Sequence, residues 1–361
     1  MMEKTNEKSA RTLEDRIKKT GQLGEQPDAL TIPKTQPASR IPFEFKGTGS
    51  EYFKIWIVNV ILSIVTLGIY SAWAKVRRKQ YFYGNTHVQG ASFEYLADPV
   101  RILKGRAIVV GFLIVNSVVS DLVPVVGSIL GLVFIVIFPW LVVRSLAFNA
   151  QNSTIRNIRF GFHGTAGEAA KVYLLWPVAA FLTVGILYPY VYFRQKKFVV
   201  ENSSYGTTKF RFIATGREYY RLFFSLLGIT IIGIAVVAVS GSVFPPVAFL
   251  LGIVLYLYIF AFFSAKTTNL LYSSSRLASH RLEATLKIKN YMGLVVTNAV
   301  ATALTLGMFY PWAKVRTARY KLEHLSIVDS GDLDHFVANE QQQVSALGEE
   351  MSDFFDFDFG L

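Results

Sequence analysis

The chain contains no cysteine. Disulfide scaffolds, zinc–thiolate sites, iron–sulfur clusters and cysteine nucleophiles are therefore excluded. Charge is scarce as well: 17% of residues are Asp, Glu, Lys or Arg, against about 25% in an average soluble domain. With 52% of the 361 residues apolar, a soluble fold has no way to hide so much hydrocarbon surface, and disorder is ruled out over most of the length. The five histidines, at 87, 163, 280, 324 and 335, show no paired metal spacing and read as surface or interfacial residues. No HExxH, GxSxG or Walker phosphate loop occurs, so nothing in the sequence points to an enzyme, a metal or a cofactor. Composition says membrane.

Lys and Arg, though they outnumber acids by 37 to 25, avoid five stretches: 55–74, 107–143, 172–193, 222–265 and 290–313. About 20 apolar helical residues cross a hydrocarbon core. The runs 107–143 and 222–265 are long enough for two helices each, turning near Asp121-Pro124-Gly127 and near Ser240-Gly241-Ser242 with Pro245-Pro246. The other three fit one each. Seven hydrophobic helices result, yet the positive-inside rule resists seven crossings. The connections 194–221 and 266–289 hold seven and five positive residues, and both would fall outside. In the alternative, 55–74, 172–193 and 290–313 enter and leave on the cytoplasmic side as re-entrant or broken helices, leaving four spans. Irregular backbone at that depth needs other protein to cover it. The pattern thus predicts an all-α multi-pass membrane protein with four to seven membrane helices.

The phrase Thr66-Leu67-Gly68-Ile69-Tyr70-Ser71-Ala72-Trp73-Ala74-Lys75-Val76-Arg77 returns as Thr305-Leu306-Gly307-Met308-Phe309-Tyr310-Pro311-Trp312-Ala313-Lys314-Val315-Arg316. A weaker copy runs from Thr183 through Gly185, Tyr190 and Arg194. Upstream, Phe43-Glu44-Phe45-Lys46-Gly47-Thr48 with Glu51 matches Phe160-Gly161-Phe162-His163-Gly164-Thr165 with Glu168. These copies predict internal repeats: an N-terminal disordered tail 1–39 with one short helix around 9–20, membrane repeats 40–157 and 158–281, a partial repeat 282–321, and an acidic tail 322–361. Segments such as Phe43-Glu44-Phe45, Ser92-Phe93-Glu94-Tyr95 and Lys209-Phe210-Arg211-Phe212 alternate apolar with polar residues, as half-buried strands do. They predict a small β-layer on the cytoplasmic face.

Within each copy the Gly sits near the end of an apolar run, where a kink or break is expected. Asn59 and Asn298 occupy equivalent positions seven before the Thr, with Trp176 in the middle copy. Together with Thr66, Gly68, Thr183, Gly185, Thr305 and Gly307 they are the candidate cavity or repeat-core residues, buried Asn in a membrane serving as interhelical glue or ligand group. Trp73, Lys75, Arg77, Tyr190, Arg194, Trp312, Lys314 and Arg316 are candidate interfacial or lipid-headgroup residues, since Trp and Tyr favour the headgroup level and Lys and Arg pair there with anionic lipid. The expected partners are membrane lipids through anionic headgroups at the cytoplasmic face, and not nucleic acid. Asp121, beside a turn, reads as a wetted loop residue. The segment 322–361 holds ten acidic residues and no Lys or Arg; such a run is either solvated or docks on the basic body in competition with headgroups. Its closing Asp353-Phe354-Phe355-Asp356-Phe357-Asp358-Phe359-Gly360-Leu361 suits addition to an exposed sheet edge.

The Thr66–Arg77 phrase, Tyr81-Phe82-Tyr83-Gly84-Asn85-Thr86, the opening Phe43–Thr48 and the closing Asp353–Leu361 resemble the YjgN-like family over about residues 40–330 and at the end of the chain. That resemblance implies a multi-pass protein of the bacterial inner membrane and supplies no reaction and no catalytic residue. Both tails are expected in the cytoplasm. Two functions fit: transport or lipid handling, because broken helices near a repeat interface are where transporter sites form, or a non-catalytic scaffold or stress-response accessory whose tails bind partners.

Overall fold

Strand β1 (Ser39–Phe45) opens the structure, a computed structural model that describes residues 39–329 and 332–355. The helix expected around 9–20 and residues 356–361 of the Phe/Asp alternation lie outside the described residues. In β1 the side chains of Ile41, Phe43 and Phe45 are buried and those between them exposed, the period of a strand with one covered face. Thr48 then starts a helix. Its Oγ1 accepts from the Glu51 N–H at 3.3 Å while the Glu51 carboxylate accepts from the Thr48 N–H at 3.4 Å, a reciprocal cap that satisfies two N-terminal donors. The same cap recurs at Thr165 with Glu168, and at Thr215 the Glu218 carboxylate again accepts from the Thr N–H, at 2.8 Å.

The order strand, helix, helix, strand occurs five times along the chain. First come β1, α1 (Gly49–Val65), α2 (Ser71–Gly84) and β2 (Thr86–Val88), then β3 (Ala91–Tyr95), α3 (Pro99–Leu122), α4 (Pro124–Gln151) and β4 (Ser153–Ile155). The third set is β5 (Ile158–Phe162), α5 (Ala166–Ala170), a π-helical turn (Lys171–Leu175), α6 (Trp176–Leu182), α7 (Tyr188–Glu201) and β6 (Ser203–Tyr205). The π-turn lies just ahead of Pro177, which has no N–H to bond back to the preceding turn. The fourth is β7 (Thr208–Phe212), α8 (Gly216–Val243), α9 (Pro245–Ser273) and β8 (Ser275–Leu277); the fifth is β9 (His280–Ala284), α10 (Ile288–Leu304), α11 (Tyr310–Glu323) and β10 (Leu325–Asp329). A final helix, α12 (Leu333–Phe355), follows.

The β-component is larger than the small layer read from the sequence. All ten strands described form one closed antiparallel barrel. β1 closes it by pairing with β10 through Ser39–Pro42 and with β2 through Phe43–Phe45. Four of the strands have three residues each, too few for alternation to show in sequence, and β10 falls inside the segment read as an acidic tail. Because neighbours are antiparallel, every helical pair leaves from one end of the barrel and every tight β-turn closes the other. The turns use left-handed residues: Gln89 and Gly90, Arg156 and Asn157, Gly206, and Ala278. Arg40, Glu44, Glu94, Arg159, Lys209, Arg211 and Arg276 are exposed, while Phe43, Val88, Ile155, Tyr205, Leu325 and their partners form the inner cluster.

Among the described residues, four helices are long and apolar enough to cross a membrane: α3, α4, α8 and α9. They turn at Val123 and Phe244, within the expected breaks, and Asp121 is exposed at the first of these tips. The other three apolar runs do not make spanning helices. At 1.5 Å per residue, the 17 residues of α1 or α10 reach about 25 Å, short of a hydrocarbon core of roughly 30 Å. Of the four to seven membrane helices expected, four are candidate spans, and the other three apolar runs form short hairpins.

Candidate functional site

The Thr-x-Gly phrase forms the tip of each short hairpin. Thr66 Oγ1 donates to Leu62 O at 2.7 Å and accepts from the Tyr70 N–H at 2.9 Å. One hydroxyl therefore joins the two helices, adding a second donor to the Leu62 carbonyl that already accepts the Thr66 N–H and satisfying an orphan amide at the start of α2. Thr305 does the same between Ala301 O at 2.7 Å and the Phe309 N–H at 2.9 Å, and Thr183 between Ala179 O at 2.9 Å and the Leu187 N–H at 3.4 Å. The glycines are needed for the chain reversal: Gly68, Gly185 and Gly307 hold φ of 89°, 85° and 90°. Each follows a left-handed apolar residue that points outward, Leu67, Val184 and Leu306, which are 95%, 93% and 95% exposed. Large exposed apolar side chains at three equivalent tips are what a hydrocarbon surrounding accepts and water does not.

Asn298 ties α10 to α11. Its amide donates to Ala313 O and Thr317 Oγ1, both at 3.3 Å, and its Oδ1 accepts from Arg316 Nη1 at 2.8 Å. The equivalent Asn59 is equally buried, but Arg77 lies over the Tyr70 ring at 5.8 Å instead, and Asn59 Oδ1 has no hydrogen-bond partner. Trp73 stacks on Tyr70, Trp312 packs on Phe53 at 4.9 Å between ring centres, and Tyr190 meets Trp176 edge-on at 4.7 Å. Lys314 sits 5.3 Å from the Tyr310 ring centre, Arg194 is half-buried, and burial together with Arg106 and Arg78 lowers the Lys75 pKa. None of the sixteen candidate cavity or interfacial residues lines the cavity inside the barrel.

That cavity is the barrel lumen, about 530 Å³ in volume. Its wall is built by Phe43, Val88, Phe93, Phe160, Tyr205 and Leu282, with few polar groups. Burial pushes the Tyr205 phenol up to about 12, as expected beside a mostly apolar wall. At the β-turn end the lumen is shut by α12, whose Leu333, Phe336 and Val337 reach into it. Polar contacts fix this cap. Arg156 Nη1 meets Asp334 Oδ1 at 2.8 Å, the Thr207 N–H donates to Glu340 Oε2 at 2.7 Å, and Gln341 Nε2 donates to Arg156 O at 3.0 Å. A Cβ at Gly206 would displace the Glu340 carboxylate from its place, and the φ of 57° there favours glycine. The acidic segment thus docks. Its signal in the sequence is the spacing of Leu333, Phe336 and Val337, one stripe on a helix.

His280 corrects the reading of all five histidines as surface groups. It is buried in the lumen wall, with Nδ1 at 2.8 Å from Asp329 Oδ1 and its ring against Phe336 of the cap.

At the helix end, Tyr83, Asn149, Ser153, Ser203 and Tyr272 line the lumen. Behind them, Lys79 Nζ donates to Asn149 Oδ1 at 2.7 Å and lies 4.3 Å from the Tyr95 ring centre. Burial, with Lys75 and Arg78 nearby, pulls the Lys79 ammonium down to about 8. The profile of a family described as "Bacterial protein of unknown function (DUF898)" matches residues 40–354, which take in the whole barrel and nearly all of the cap. The chain belongs to the DUF898 family.

This DUF898 chain is 32% identical over 164 residues to the inner membrane protein YjgN of Escherichia coli, in strain K12 and in O157:H7. Each match covers 45% of this chain and 40% of the relative. YjgN of Salmonella typhimurium is 30% identical over 144 residues, 40% of this chain and 36% of its own. The chain therefore spans about two fifths of the length of these relatives. No solved structure matches it. The DUF898 chain is an inner-membrane protein with four candidate spans.

Proposed function

We propose that this protein handles lipid, drawing a hydrocarbon chain from the cytoplasmic leaflet into the barrel lumen. The observation that carries this reading is a lumen of about 530 Å³ with an apolar wall, inside a barrel from one end of which all the helical pairs leave. That volume falls within the roughly 300–1,000 Å³ of small-molecule sites. Charge supports the sidedness: the segments bearing the strands carry the Lys and Arg, while the tips of the long hairpins have none. On this reading the barrel and both tails are cytoplasmic, and the short hairpins dip into the near leaflet and return. The sequence copies at Thr66, Thr183 and Thr305 support an origin by internal repetition, with the partial third repeat completing the ring. A scaffold that offers its acidic tail to partners fits less well, because α12 already binds the protein's own barrel.

Binding of a polyene fatty acid, whose fluorescence rises in apolar surroundings, tests the lumen in detergent-purified protein. Leu282→Trp, which fills the lumen, is expected to weaken binding tenfold or more, whereas the exposed Lys209→Gln leaves it unchanged. Equal binding by both variants would contradict the reading.

A further inference from the structure

Two ends of the lumen carry cations, and they differ in what they hold. At the β-turn end, the Arg156 guanidinium is already engaged by Asp334 and by Gln89 Oε1 at 2.7 Å. At the helix end, Lys79 has a neutral partner, Asn149 Oδ1, which also accepts from the Tyr95 hydroxyl at 3.1 Å. An ammonium has three donors. The rest of the shell is built: Asn149 Nδ2 donates to Ser145 O at 2.7 Å, Ser153 Oγ donates to Asn149 O at 2.7 Å, and the Tyr83 hydroxyl lies 3.4 Å from Ser153 Oγ. Asn149, Tyr83 and Ser153 line the lumen, and Lys79 Nζ stands one hydrogen bond behind Asn149.

We infer that the lumen takes a single-chain anionic amphiphile, with the chain among Phe93, Phe160 and Tyr205 and the acid group at the helix end against Lys79, Asn149 and Tyr83. This rests on the reading of the lumen as a hydrocarbon site. A barrel of eight strands leaves room for packed side chains or one small ligand, and the interior widens roughly in proportion to strand number. Ten strands lined by large aromatic side chains suit one chain rather than a bulky ring system. The lowered Lys79 pKa agrees with a cation short of counter-charge, since burial and like charges both disfavour the ammonium there. An arriving carboxylate or phosphate monoester supplies that charge, and a charge-assisted bond inside a dry site is stronger than one in water.

The test compares the polyene acid, the alcohol of the same chain and lysophosphatidate on the full chain in neutral detergent. The acid is expected to bind at least tenfold more tightly than the alcohol. Lys79→Gln is expected to abolish that preference while leaving alcohol binding in place, and Lys79→Arg to keep it. Asn149→Asp, which puts a carboxylate beside the amine, is expected to weaken the acid as Lys79→Gln does. Lysophosphatidate displacing the acid more tightly than the acid binds itself identifies a lipid phosphate as the natural head; the reverse identifies a free fatty acid. Equal binding of acid and alcohol, unaffected by Lys79→Gln, overturns the assignment of the head and leaves the hydrocarbon site standing. Binding of none of the three overturns both.

Discussion

Replacing Phe336 and Val337 together with Asp is expected to release α12 from the barrel. Both side chains project into the apolar lumen beside Leu333. Burial of a large apolar side chain contributes up to roughly 1.5–3 kcal/mol, and a carboxylate at either position is desolvated in an apolar wall. The polar contacts of Glu340 and Asp334 surround this plug and depend on its placement. Hydrogen exchange is the direct measure. The backbone of 333–346 and the Thr207 N–H, which donates to Glu340, are expected to lose protection while strands β4 and β5 keep theirs. Protection of α12 in the double variant would mean that the helix does not depend on the lumen for its position.

An Asp at each short-hairpin tip, Leu67→Asp, Val184→Asp and Leu306→Asp together, is expected to cost the protein its stable membrane assembly. An Asp at the hydrocarbon centre is unfavourable by about 2.5–3.5 kcal/mol, and the tips are the most exposed large apolar side chains of the three hairpins. Three such changes approach the whole stability of a domain, about 5–15 kcal/mol. Yield of folded protein in the membrane fraction reads this out. Normal yield and thermal stability would show that the tips lie in water. Ser at the same three positions is expected to cost far less.

How far the sequence carries the fold can be traced residue by residue. The four long helices are legible because 107–143 and 222–265 hold no Lys or Arg and break at Pro124 and Pro245. The helix starts at Thr48, Thr165 and Thr215 are legible from the Glu three residues on. Closure of the barrel is not. It depends on β2, β4, β6 and β8, which are too short to carry a period, and on β1 splitting its pairing between β10 and β2. Repetition marks Thr66 and Gly68, but the phrase persists for a local reason, the hydroxyl bridge and left-handed turn at a tip. Of the lumen residues, Phe43 and Phe160 hold matching places in the repeated opening phrase, but most of the others come from all five sets without a shared motif, so repetition alone does not gather them. Asn59 and Asn298 show the same limit: equivalent in sequence, they differ in partner because Arg316 turns to its Asn and Arg77 to a Tyr.

A single labelling series bears most directly on the central claim, that every helical pair leaves one end of a barrel lying on the inner face. The cysteine-free chain accepts one Cys at a time: Val123→Cys and Val243→Cys at the long tips, Gln89→Cys and Ala278→Cys at the β-turns, Leu306→Cys at a short tip. With a membrane-impermeant thiol reagent on intact cells, 123 and 243 are expected to label. Positions 89 and 278 are expected to label only after permeabilisation, and 306 in neither case. Labelling of 89, 278 or 306 from outside intact cells would contradict the account.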